Sequence, residues 1–315
     1  MTITSDPTAP LVAVVGATGN QGGSVIHALA ESRKPYRIRG FTRDATKPAA
    51  QELAKLGVEI FVVSLVVENK DKVYEAFVGA DFAFLVTNFW EHVDVDREVA
   101  EGKLLIDAAK SASITRVVWS GLPSFNKLSH GKYKNVYHFD GKALITEYGR
   151  HSGVPFVDVQ AGFYGSNFLG PLGAPKKQAN GSYLFAFPAK PETLIPFIDV
   201  VRDYGMFVRY VLEMEVFPDG GEYVAHGETI TYRDLVSQWS EETGKTIVHV
   251  EISPRQFKEG LEDADLPSHV VLDYVEFSLA WNEFGWKSTP IPPILEAQVH
   301  TWADFMRDTN WSGVF

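Results

Sequence analysis

The chain has 315 residues, 45% of them hydrophobic and 22% charged, with a net charge of −11 and no cysteine. Such a composition is that of a globular protein with a full-sized core. The acidic balance argues against direct nucleic-acid binding, which needs a basic face, and the lack of cysteine excludes disulfides, thiol catalysis and thiolate metal sites. The first residues carry no leader pattern and no apolar run reaches membrane-spanning length, so a cytoplasmic or nuclear protein without membrane attachment is expected.

The first segment with structure in it is a β-branched run at 12–15 that breaks into Gly16, Gly19 and Gly22. Val25, Ile26, Leu29 and Ala30 then recur at helical spacing. Strand, glycine turn and helix in that order form the context in which a pyrophosphate sits on a helix N-terminus. Gly16 allows the turn, Gly19 a close approach of the phosphates, and Gly22 the packing of helix on strand. With Thr18, Asn20 and Gln21, they make up the candidate cofactor-binding turn.

A strand near a sheet edge is expected at 36–42, a helix at 47–56 and a strand at 58–63. A helix at 69–78 should turn Val73, Phe77 and Val78 inward. Residues 81–87 are apolar nearly throughout, as in a strand covered on both faces. A long helix over 94–112 has an expected inner stripe of Val95, Val99, Leu104, Leu105 and Ala108, with Asp94, Asp96, Arg97 and Glu98 as its charged start. A strand at 116–120, a helix at 139–151 and a strand at 154–160 complete the alternation. The pattern predicts an α/β fold, a Rossmann doubly wound parallel sheet.

Beyond residue 162 the texture changes. Residues 162–196 are rich in Gly, Pro, Phe and Tyr with little periodicity. Helices are expected at 199–214, 231–244 and 293–307, and strands at 221–225 and 246–252. This reading divides the chain into a nucleotide-binding domain at 1–162, to which some later segments return, and a second, smaller α+β domain at 163–315 for a substrate or partner.

The end of the second strand selects the cofactor. An NAD site places Asp or Glu there, whereas this chain has Phe41-Thr42-Arg43, with Lys47 a turn later. Arg43 can hold a 2′-phosphate through a planar charge-assisted pair, and Lys47 can add a point charge. NADP(H) is therefore expected, although Asp44 beside Arg43 opposes an anionic guest. Thr42, Thr87, Asn88, Phe89 and Ser120 lie at strand C-termini, where open α/β sheets bind ligands.

Gly16-Ala-Thr-Gly-Asn-Gln-Gly22, Phe41-Thr-Arg43, Val86-Thr-Asn-Phe-Trp-Glu91, Trp119-Ser-Gly-Leu122 and His138-Phe-Asp-Gly-Lys142 together resemble the NmrA-like family, atypical members of the short-chain dehydrogenase/reductase superfamily. Residues 161–168 resemble that family's segment after the sixth strand, which implies cofactor contacts from Gly162, Phe163, Tyr164 and Asn167. The resemblance implies a Rossmann domain that binds NADP(H). The motif match is best to the redox-sensor subgroup, whose members act on protein partners, while relatives in the wider superfamily reduce small carbonyl or alkene substrates. Either a monomer or a homodimer is compatible with the sequence.

Catalytic short-chain dehydrogenases carry Tyr four residues before Lys, which stacks the two on one helical face. Here Lys142 is present, but His138 occupies the tyrosine position and Tyr137 is one residue out of register. Three readings stand. Lys142 holds the cofactor and His138 is structural; His138 replaces the tyrosine as general acid; or Lys142 itself handles protons. Lys142, His138 and Tyr137 are thus the candidates for proton transfer. Two functions follow: an NADP(H)-binding sensor or regulator, or an NADPH-dependent oxidoreductase of a small hydrophobic substrate, for which the aromatic residues of 163–197 are candidate lining. His226, His249, His269 and His300 have no metal-like spacing.

Overall fold

A computed structural model describes residues 3–286 and 288–315. In chain order the first half contains β1 (Leu11–Val14), α1 (Asn20–Ala30), β2 (Arg37–Thr42), α2 (Pro48–Lys55), β3 (Glu59–Val62), α3 (Lys70–Phe77), β4 (Phe82–Leu85), α4 (Phe89–His92), α5 (Val95–Ser111), β5 (Arg116–Trp119), α6 (Phe125–Leu128), α7 (Tyr137–His151) and β6 (Phe156–Ala161). The second half contains β7 (Phe163–Tyr164), β8 (Lys176–Lys177), β9 (Tyr183–Phe187), β10 (Leu194–Ile198), α8 (Tyr204–Glu213), β11 (Glu222–Ala225), β12 (Glu228–Thr231), α9 (Tyr232–Thr243), β13 (Ile247–Glu251), α10 (Pro254–Asp263), α11 (Ser268–Phe284), α12 (Pro293–Glu296) and α13 (Trp302–Asp308).

The chain forms two compact units, each assembled from separate segments: 1–123, 141–160 and 200–223 in the first, and 124–140, 161–199 and 224–315 in the second. The first unit holds the expected Rossmann sheet. Its order is β11-β6-β5-β4-β1-β2-β3, and β1–β2, β1–β4, β2–β3, β4–β5 and β5–β6 all pair in parallel. The order reverses at β1, between β2 and β4, which is where such sheets open a ligand crevice. The later segment β11 joins the far edge, through bonds from Asp158 N to Gly221 O and Gly162 N to Ala225 O. Leu11, Ala13 and Val15 from β1 and its end pack with Phe41, Phe77, Leu85, Leu105, Trp119, Ile145 and Phe156 in one core. Helix α8 lies close on α1: a Cβ on Gly205 would stand 2.0 Å from Ser24 O, and Gly205 N donates to Ser24 Oγ at 2.8 Å.

Several expectations are corrected. Val78 is not inward but 64% exposed, because the helix ends at Phe77 and Val78, with ψ 129, already leaves it. In α5 the buried residue of the first turns is Glu98, while Val95 and Val99 are only half-buried. Strands are found from residue 163 to 198, where the sequence shows little periodicity: β7 and β10 join a sheet of order β12-β10-β7, and β8 and β9 one of order β13-β9-β8. These strands are short, and β9 is nearly all apolar, so no alternation marked them. The expected helix at 199–214 starts only at Tyr204. The expected helix at 293–307 is two helices, because Thr301 starts a new one through a capping box with Asp304. By contrast, Thr231 caps α9 and Gly244, at φ 64, closes it, as expected.

Candidate functional site

The glycine turn has the geometry its sequence asks for. Gly16 takes φ 66, a left-handed conformation that costs a side-chain-bearing residue about 1 kcal/mol or more. Gly19 N donates back to Gly16 O at 2.8 Å. A Cβ on Gly22 would stand 2.2 Å from Gly16 O and 2.8 Å from Val15 O, so only glycine lets α1 approach β1 this closely. Gly19 is the N-cap of α1, no side chain caps it, and its first turn holds no acid. Gly16, Thr18, Gly19 and Asn20 are exposed and Gln21 is half-buried. A helix N-terminus left open in this way presents unpaired N–H groups and a positive dipole end to an anion.

At the end of β2, Thr42 is buried and Arg43 exposed. The Asp44 carboxylate does not compete for Arg43: it accepts from Thr46 N at 2.8 Å and Thr46 Oγ1 at 2.6 Å. Those bonds hold its pKa below the usual carboxylate value. Arg43 instead makes an ion pair with Glu91 of α4. Lys47 is exposed at the N-cap of α2.

At the end of β4, Asn88 is exposed and Phe89 is buried against Trp90, ring centroids 5.1 Å apart. Thr87 meets Lys142 of α7. The Lys142 ammonium donates to Thr87 O at 2.8 Å, Thr87 Oγ1 at 3.0 Å and Glu98 Oε1 at 2.8 Å. These three acceptors match the three donors of an ammonium. Thr87 Oγ1 also donates to Glu98 Oε1 at 2.7 Å. Side-chain exposure is 13% for Lys142 and 2% for Glu98, and Glu98 Oε2 is buried without a hydrogen-bond partner. Ser120 is buried at the end of β5, its N–H on Leu85 O at 2.9 Å.

The other candidates fall in the second unit. His138, in the first turn of α7, is held twice by Asp273 of α11: its backbone N–H donates to Asp273 Oδ2 at 3.1 Å, and its Nδ1 pairs with Asp273 Oδ1. Its ring lies 4.7 Å from Phe139 and 5.3 Å from Phe277, centroid to centroid. The Tyr137 hydroxyl is tied locally, donating to Asn135 Oδ1 at 2.7 Å, while Asn135 donates to Glu276. Ser124 caps α6 and donates to Asp140 Oδ1 at 2.7 Å. Gly162 is a packing glycine, since a Cβ there would stand 2.2 Å from Pro196 O. Phe163 and Tyr164 form β7 against β10, and the Phe163 ring lies tilted against Phe168 and Trp281, centroids 5.4 and 5.3 Å away. Asn167 is exposed in a short 3₁₀ turn. Tyr183, Phe185 and Phe197 are buried among other rings and make core. His226 is buried with Nε2 near Thr289 O, and burial pushes its pKa down. Among the described residues no group of His, Asp and Glu could hold a metal, and no helix is long and apolar enough to cross a membrane.

The model of the NmrA-like family matches residues 8–305. The chain belongs to the NmrA-like family. An NmrA-like family domain-containing oxidoreductase, malD, from Malbranchea aurantiaca is 31% identical over 77% of this chain and 75% of its own length. Among solved structures, NmrA, a negative transcriptional regulator determined in complex with NADP and with NAD, matches at TM-score 0.78 and 21% identity over 95% of each chain. An NADPH-dependent quinone oxidoreductase from Escherichia coli, complexed with NADPH, matches at TM-score 0.75 and 19% identity over 94% of this chain and 98% of its own.

Three residues of this NmrA-like chain escape a reading of the sequence. Glu98 looks like one more acid at a helix start, yet it is the buried partner of Lys142. Its position was legible in principle: 95, 98, 102 and 105 share one helical face, and Gly102 and Leu105 are buried. Glu91 lies inside a family motif, but nothing in the sequence links it to Arg43. Asp273 is 135 residues from His138 and carries no local signal.

Proposed function

We propose that this chain is an NADP(H)-binding protein of the sensor or regulator type. The observation that carries this reading is the glycine turn: Gly16 in the left-handed conformation, a Gly22 that lets α1 close onto β1, and a helix N-terminus that no side chain caps. These features fit a dinucleotide pyrophosphate, and relatives of the same fold were solved with NADP or NADPH. Gly16, Thr18, Gly19, Asn20, Gln21 and Gly22 would hold the pyrophosphate, Thr42, Arg43 and Lys47 the adenosine end, and Thr87, Asn88, Phe89, Ser120 and Lys142 the nicotinamide end. Gly162, Phe163, Tyr164 and Asn167 are further cofactor-binding candidates that the family resemblance assigns. The sensor reading is supported by the proton chemistry: there is no tyrosine four residues before Lys142, and the Tyr137 hydroxyl donates to Asn135 Oδ1. Calorimetric titration of NADP+, NADPH, NAD+ and NADH tests it. Preferential binding of the phosphorylated pair, with a difference between oxidised and reduced forms, is the expected result. Rapid NADPH oxidation with a carbonyl or enone would overturn the sensor reading.

A second reading, an NADPH-dependent oxidoreductase, is favoured by His138–Asp273. Bound NADPH would supply the hydride. The buried Asp273 side chain fixes the imidazole through Nδ1, and an imidazole can carry a proton to a developing alkoxide or enolate. The name of the Malbranchea relative also speaks for it. On this reading His138→Ala lowers kcat by roughly a hundredfold or more, and an unchanged kcat removes His138 from the reaction.

Arg43→Ala is expected to weaken NADPH about tenfold or more while barely changing NADH, as befits loss of a charge-assisted pair to the 2′-phosphate. Equal losses for both nucleotides would show that Arg43 does not read that phosphate.

A further inference from the structure

Arg43, the residue assigned above to the 2′-phosphate, already has an anion. Glu91 pairs with it, and the two side chains keep 66% and 34% of their exposure. Glu91 belongs to α4, one helical turn between β4 and α5, closed by Val93 at φ 54. A β-branched residue there is strained. The His92 imidazole lies beside Glu91, its Nε2 3.9 Å from Glu91 Oε1 and 3.9 Å from Glu101 Oε1. Asp44 is occupied with Thr46. Glu91 is therefore the carboxylate that a 2′-phosphate must displace.

We infer that Glu91 is a specificity-determining residue, a built-in stand-in for the 2′-phosphate on Arg43, and that its displacement makes the α4 turn respond to NADP(H) and not to NAD(H). The inference rests on the reading of Arg43 given above. A guanidinium can serve both anions only if they share its two edges, and a carboxylate beside a phosphate dianion repels it. NADP(H) thus binds against a competitor. NAD(H) has only a hydroxyl at that position and leaves Arg43–Glu91 intact. Once Arg43 is taken, the ion pair between α4 and the end of β2 is gone. A ligand that acts on one of two states shifts their populations by its differential affinity alone. Here the 2′-phosphate supplies that difference.

The test is calorimetric titration of NADPH and NADH into the wild type, Glu91→Gln, Arg43→Ala and the double variant, with hydrogen exchange of residues 89–93. Gln keeps the shape of Glu and removes its charge. Glu91→Gln is expected to tighten NADPH roughly two- to fivefold, the range for loss of an exposed ion pair, with NADH unchanged. Most of that gain should vanish in the Arg43→Ala background, as coupled residues require. Exchange in 89–93 should change with NADPH and stay as it was with NADH. If Arg43→Ala selectively weakens NADPH while Glu91→Gln leaves it unaltered or weakens it, the inference falls and the cofactor reading stands. An equal response of 89–93 to both nucleotides also overturns it. If the wild type binds neither nucleotide, or Arg43→Ala weakens both equally, the cofactor reading falls and takes the inference with it.

Discussion

Lys142 and Glu98 form a buried pair whose two members are 44 residues apart. The pair is costly to break from one side. Removing Glu98 leaves an ammonium beside Thr87 alone in a place that water barely reaches. Glu98→Ala is expected to destabilise the fold by about 3–5 kcal/mol, read from the urea midpoint. Glu98→Gln keeps an oxygen for Lys142 and should cost clearly less; equal losses for both would mean that shape rather than charge matters there. Gly141 belongs to the same arrangement, since a Cβ on it would stand 2.8 Å from Glu98 Oε2. The sequence identified Lys142 through its spacing from residue 138, but it could not identify the partner. A carboxylate in the first turn of a helix has a sufficient local explanation in the helix dipole, and only packing shows that this one faces inward.

At the scale of elements, the β1–α1 unit is the part of the site most fully legible. Its glycines are required by backbone geometry over a few residues, so the sequence alone carries the reason for them. Gly22→Ala places a methyl 2.2 Å from a backbone oxygen that cannot move without displacing the turn. Loss of NADPH binding and a destabilisation of several kcal/mol are expected, in the range for overpacking, checked by thermal unfolding and titration. Gly23→Ala is the control: its Cβ would meet Ala17 O at an ordinary 3.6 Å, and it should fold and bind as the wild type does. The second unit's strands were the least legible elements. Those of 163–198 run two to five residues, too short for alternation to rise above the background of Phe, Pro and Gly. Helix α13 was hidden for a different reason, because Thr301 restarts a helix inside what reads as one amphipathic run.

The whole molecule's stability should carry the mark of Asp158, fully buried in β6. Burial pushes its carboxyl up to about 7 from 3.8. Around it, Gln160 Nε2 donates to Asp158 Oδ2 at 3.0 Å, and Thr146 Oγ1, which accepts from Trp119 Nε1 at 3.0 Å, lies 3.3 Å from the same oxygen. Gly121 N donates to Asp158 Oδ1 at 2.9 Å in either state. A carboxyl raised on folding binds its proton more tightly in the native state. Its contribution is therefore present in full below the unfolded value near 3.8 and is lost as pH rises through about 7. Wild-type stability should fall by a few kcal/mol from this source between those limits, at about 1.4 kcal/mol per unit. Asp158→Asn, which stays neutral, should lack that slope. Urea unfolding at pH 5 and pH 8 checks it, and parallel slopes for the two proteins would place the charge elsewhere.

The sequence by itself determined what depends on neighbours along the chain. The alternation of strands and helices, the glycine turn, the Arg43 in place of an acid and the histidine in place of a tyrosine are all local, and each has its physical reason within a few residues. Tertiary structure decided the partners and surroundings: Glu91 on Arg43, Glu98 on Lys142, Asp273 on His138 and the burial that raises the Asp158 carboxyl. Side chains 44 to 135 residues apart meet only after the chain has folded, and where such a pair is buried, as Lys142 and Glu98 are, the low dielectric makes the pairing matter far more than it would in an open chain.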